Sequence, residues 1–155
     1  MLTLADIGFE TARALLARYR LELVQLENDR AIPGSFWGEC EAGVIGNIVY
    51  ARLDTPVHSL LHEAGHLIVL PEHKRAEIHT DATDSVAEED AVCVLQALLG
   101  DELPGVGRER IWADMDEWGY TFRLGSAKAY FENDAQDAFA FLIARELINT
   151  AHELS

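Results

Sequence analysis

The sequence predicts an α+β fold. Three observations point there: apolar residues at helical spacing across residues 5–28, a β-branched and aromatic run between residues 44 and 50, and helical signals over most of the second half. The length of 155 residues suits one domain spanning 1–155.

Taken in order, Ala12, Leu15, Leu16, Tyr19, Leu23 and Leu26 recur at helical spacing, while Arg13, Arg20, Glu22 and Glu27 fall largely opposite. This predicts an amphipathic helix over 5–28, stopped by Asn28-Asp29 and then Pro33-Gly34. Between 35 and 53 the character changes. Ser35-Phe36-Trp37-Gly38 and Val44 to Tyr50 read as a short hairpin or two edge strands, with Glu41-Ala42-Gly43 as a turn. Glycines 38, 43 and 46 mark bulges or close backbone approach. A second helix is expected over 56–70, capped by Asp54 or Thr55, with Pro56 in its first turn and Pro71 ending it. After a polar stretch from Glu72 to Asp84, a third helix runs from Ser85 to about Leu99, with Asp84 as its N-cap and Gly100 at its end. Pro104-Gly105 breaks the chain. Helices are then expected over 107–118 and 133–152, and residues 119–131 carry no clear signal.

Charge narrows the function classes. Twelve Lys and Arg stand against 27 Asp and Glu, a net charge of −15. A polyanion needs a cationic footprint, so nucleic-acid binding is not expected, and anionic membrane surfaces are disfavoured. No stretch approaches the roughly 20 apolar residues that span a bilayer. The start, Met1-Leu2-Thr3-Leu4-Ala5-Asp6, lacks a basic segment, so no secretory signal is expected. Two cysteines, Cys40 and Cys93, make no disulfide framework and read as reduced thiols in a cytoplasmic protein.

The residues that carry chemistry are His62-Glu63-Ala64-Gly65-His66, an HExxH motif in an otherwise apolar helical run. Residues i and i+4 share a helix face, so both imidazoles reach one ion. Glu63 stands about 100° round the helix, where it reaches an attacking water without ligating the ion. Buried polar groups of this kind are costly unless something satisfies them, and a metal does so. A catalytic zinc site keeps three protein ligands and one open position. Val69 and Glu72 occupy the places where a metzincin has its glycine and third ligand, so that class fits poorly. On the third helix, Glu88 is centred on the apolar face made by Ala91, Val92, Leu95 and Leu99, which makes it the preferred third ligand. Glu89, Asp81, Asp84 and His79 are the other candidates. Trp37, Trp112, Trp118 and the phenylalanines near 139–141 read as core or rim aromatics, Cys93 as a small buried residue, and His58 as a solvated or supporting histidine.

HEAGH followed 21 intervening residues later by Glu88-Glu89-Asp90-Ala91 resembles the gluzincin branch of the zincin metallopeptidases, in which an ExxA helix supplies the third ligand. The small size is similar to minimal single-domain gluzincins and to peptidases of the ImmA/IrrE type. The resemblance covers roughly residues 35–100. Val92 stands where the family pattern often has Asp or Asn. The resemblance implies a zincin-like fold in which a small N-terminal sheet packs on the HExxH helix and the C-terminal half is mostly helical. It implies that His62, His66 and Glu88 hold Zn²⁺ and that Glu63 is the general base in peptide hydrolysis. It also implies that the strand ending near Arg52 is an edge on which an extended peptide or protein substrate aligns, and that Tyr120, His58, His73 or His79 stabilises the oxyanion. The acidic second half favours basic peptides. The alternatives are an inactive zincin-fold binding module and a metal-dependent hydrolase of a non-peptide amide or ester. Nothing in the sequence sets an oligomeric state.

Overall fold

The computed structural model describes residues 1–35, 40–77 and 85–155. The Ser35–Gly38 strand beyond its first residue, and the candidates His79, Asp81 and Asp84, lie outside the described residues. The described chain is α+β and gathers into two compact units, Met1–Ala82 and Thr83–Ser155.

The first unit contains α1 (Leu4–Ile7), α2 (Phe9–Ala17), β1 (Glu22–Leu26), β2 (Gly43–Ile45), β3 (Ile48–Arg52), α3 (Val57–Val69) and a 3₁₀ turn over Glu72–Glu77. The long helix expected over 5–28 is therefore divided. Gly8, with φ 87, separates α1 from α2, and Arg20, with φ 60, turns the chain out of the helix. From Leu21 the sequence Leu-Glu-Leu alternates apolar and polar, and Leu21 and Leu23 are buried while Glu22 is exposed. That period of two was hidden because Leu23 and Leu26 also fit the helical spacing of the residues before them. Ala12, Leu15 and Leu16 are buried as expected.

The sheet has the order β1-β3-β2, with β1 parallel and β2 antiparallel to β3. Leu23, Val49 and Val44 lie side by side in this register and are all buried, which makes one apolar row across the sheet. The run from Val44 to Tyr50 is divided between two strands, β2 and β3, joined by a turn at Gly46-Asn47. Gly46 has φ 60, the left-handed value that a tight two-residue hairpin favours at its first position. Gly43 meets the expectation of close backbone approach: a Cβ there would lie 2.2 Å from the Pro33 carbonyl oxygen. Over Ile48–Tyr50 the strand ending at Arg52 is not an edge, because β3 is paired there with both β1 and β2; among the described residues Ala51 and Arg52 pair with β1.

α3 packs on β2 and β3. Eleven of its 13 residues are buried, including His58, Ser59 and His66. Neither Asp54 nor Thr55 caps it. Asp54 is engaged by the Arg52 guanidinium at 2.9 and 2.6 Å, and the Thr55 hydroxyl accepts from the Arg52 amide at 2.9 Å, so Pro56 stands at the N-cap. The N-terminal segment compensates, with the Leu2 carbonyl accepting from the Val57 amide at 2.9 Å. At the other end the buried Arg75 donates to the carbonyls of Leu67 and Tyr19, each at 2.8 Å. Desolvation lowers the pKa of this guanidinium from its ordinary value.

The second unit is helical: α4 (Val86–Asp101), α5 (Gly107–Trp118), α6 (Ala127–Asn133) and α7 (Gln136–Ala144). Ser85 is the N-cap of α4, its hydroxyl accepting from the Glu88 amide. Gly100 lies inside α4 rather than ending it. A Cβ there would meet Ile111 Cγ1 at 2.5 Å, so this glycine permits the close contact of α4 with α5. α5 forms over the expected residues and ends at the left-handed Gly119. The helix expected over 133–152 is only α7. Glu146, with φ 60, leaves it, and the Asn149 side chain then accepts from the Ala151 and Glu153 amides. Trp112 is buried as expected, and Trp118 is exposed.

Candidate metal centre

The sequence places both motif histidines in one stretch of α3 because nothing between Val57 and Val69 breaks a helix and Pro71 waits beyond it. His66 is buried at 1% exposure and His62 is half-buried. Their Nε2 atoms lie 3.2 Å apart, and the rings meet edge to face with centroids 4.8 Å apart. Two nitrogens bound to one tetrahedral zinc at about 2.0–2.1 Å stand about 3.3–3.4 Å from each other. The observed separation fits that requirement closely. The donor set therefore suits a borderline metal such as zinc.

Glu63 follows His62 on the same helix and is half-buried, with Oε2 withdrawn from solvent. Ser59, one turn before it, accepts from the Ala42 amide at 3.0 Å. That bond ties the motif helix to the residue preceding β2. Sequence reading missed Ser59 as a tether, although a lone hydroxyl among leucines was visible. It also missed Arg75, which looked like any other charge in a polar stretch.

His58 lies one turn before His62 and is 1% exposed. The solvated reading of His58 is thereby corrected, since its position on the packed side of α3 removes it from water. Of the other oxyanion candidates, His73 is exposed on the 3₁₀ turn, and the Tyr120 hydroxyl accepts from Gln96 Nε2 at 3.3 Å within the second unit.

Glu88 and Glu89 occupy the first turn of α4. Glu88 is buried and Glu89 half-buried. Val92 is fully buried, so no polar partner comes from that position. Cys93, half-buried, has its thiol pKa pushed up to about 12 by desolvation and then by the carboxylates of Glu89 and Asp90. A thiol in that state is a poor nucleophile at neutral pH. The pKa of the Asp90 carboxyl is raised, first by desolvation and then by the neighbouring carboxylates of Asp134, Glu89 and Asp137.

Among the described residues, no helix is long and apolar enough to cross a membrane. No protein-family model, curated protein or solved structure matches the chain.

Proposed function

We propose that the chain is a zinc-dependent peptidase of the gluzincin type, with a zincin-like fold. Its zinc ligands are His62, His66 and a carboxylate from the Glu88-Glu89 pair. The supporting observation is the Nε2–Nε2 separation of 3.2 Å, the spacing that two imidazoles need to share one tetrahedral ion. Glu88 is the ligand that the helical wheel favours. Glu89 is its half-buried neighbour on α4 and the alternative carboxylate.

The ion supplies Lewis acidity and lowers the pKa of water. The chain's own residues do the rest. The two imidazoles orient the centre, and Glu63 takes a proton from the attacking water and returns it to the leaving amine. Substrate is a peptide or protein, and the chain's charge of −15 favours basic segments over acidic ones.

Glu63→Gln tests the chemistry. It is expected to retain zinc and to lose hydrolysis of a mixed peptide library by about 10²–10⁴-fold. Unchanged cleavage by this variant would overturn the role of Glu63. Elemental analysis of Glu88→Ala and Glu89→Ala assigns the third ligand: the ligand variant loses zinc and the other keeps it. Retention by both would remove α4 from the centre.

A further inference from the structure

The second unit carries a cavity of about 630 Å³ that has no part in the proposed hydrolysis. One wall is the face of α7 carrying Gln136, Phe139, Ala140 and Ile143, spaced i, i+3, i+4 and i+7. Phe131 and Glu132 of α6 form a second wall, and His152 of the C-terminal loop forms the third. This volume is in the range of small-molecule sites, which combine apolar and aromatic walls with a few polar groups.

Two features suggest a particular ligand. The first is the aromatic wall. Phe131 and Phe139 meet edge to face at 5.2 Å, and the His152 ring stacks on Phe139 at 3.9 Å with an interplanar angle of 7°. His152 holds this position with φ 63, a left-handed value uncommon outside glycine, and its amide donates to the Asn149 carbonyl at 3.0 Å. The loop thus keeps an exposed histidine in a costly backbone conformation as one plate of a cavity, a form of strain that clusters at ligand clamps. The second feature is charge. Among the described residues that line the cavity, Glu132 is the only carboxylate and none is a lysine or arginine. An anion would meet Glu132 with nothing to offset it. A cation finds both the carboxylate and the aromatic faces.

We infer that this cavity is a binding site for a small aromatic ammonium compound, its ring against the wall that Phe131, Phe139 and His152 make together and its amine beside Glu132. The inference is independent of the metal centre.

Three indoles of nearly equal size test it on the full chain by heteronuclear NMR titration: tryptamine, indole-3-ethanol and indole-3-acetate. Tryptamine is expected to shift the amides of Gln136, Phe139, Ala140 and His152. It should bind about fivefold more tightly than the alcohol, as one exposed ion pair allows, and more tightly still than the acetate. Glu132→Gln should bring the amine to the level of the alcohol. Ala140→Trp, at an exposed position, should fill the cavity and abolish the shifts in a folded chain. The inference is overturned if tryptamine leaves these amides unmoved, if the acetate binds as tightly as the amine, or if the shifts persist in Ala140→Trp.

Discussion

Gly43→Ala probes the part of the first unit that supports the motif helix. Gly43 opens β2, which packs beneath α3. A Cβ there would lie 2.2 Å from the Pro33 oxygen, 2.5 Å from the Ser35 nitrogen and 2.6 Å from the Gly34 carbonyl carbon. All three are backbone atoms, so no rotamer change relieves the overlap. The 33–35 segment must retreat by about 1 Å, at an overpacking cost of about 1–3 kcal/mol. The retreat also breaks the bond from the Val44 amide to the Gly34 carbonyl, 3.3 Å long, which contributes about 1 kcal/mol. Replacing glycine stiffens the unfolded chain and returns about 0.4–1 kcal/mol. The net loss is about 1–3.6 kcal/mol. Urea denaturation followed by circular dichroism should show the midpoint falling by about 1 M, given slopes of about 1–3 kcal/mol/M. A midpoint for Gly43→Ala within about 0.2 M of the parent would refute the steric reasoning, because that shift is below the smallest loss expected at these slopes.

Arg75→Ala should cost about 2–4 kcal/mol in the same assay, because it opens a cavity and leaves the Leu67 and Tyr19 carbonyls without their guanidinium donor. A loss below about 0.5 kcal/mol would mean that water replaces the guanidinium without penalty. Arg52 holds the Asp54 carboxyl below its ordinary value, so the pair stabilises the fold above the unfolded carboxylate range and its contribution fades as pH falls through the lowered value. Asp54→Asn should therefore flatten the acid limb of the melting-temperature profile, and a limb identical to the parent's would contradict this. With its thiol near pKa 12, Cys93 should resist iodoacetamide at pH 8 while Cys40 reacts, as read by peptide mass spectrometry. Equal labelling of both in the folded chain would count against the burial of that sulfur.

The legible parts of this fold are those where one period dominates. α3 was readable because its run is long, almost wholly apolar and closed by Pro71, and α5 because the left-handed Gly119 ends it. The 5–28 segment misled because Leu23 and Leu26 satisfy helical and strand periods together, and only the left-handed Arg20 separates them. Its pairing with β3 is a contact between distant residues that no local pattern contains. The cap of α3 was misassigned for a similar reason: Asp54 and Thr55 have good capping chemistry, but Arg52 takes both. At the candidate site, the i, i+4 rule anticipated the meeting of His62 and His66. The arginine strap at Arg75 and the plate formed by His152 depend on backbone carbonyls and a left-handed turn, which leave no compositional mark.

The most direct test of a shared cation on α3 is elemental analysis of the untagged chain, purified without added metal or chelator. About one zinc per chain is expected, falling to near zero in His62→Ala and in His66→Ala. A metal-free parent, or a His62→Ala chain that keeps its full zinc content, would contradict the reading of these two imidazoles as ligands.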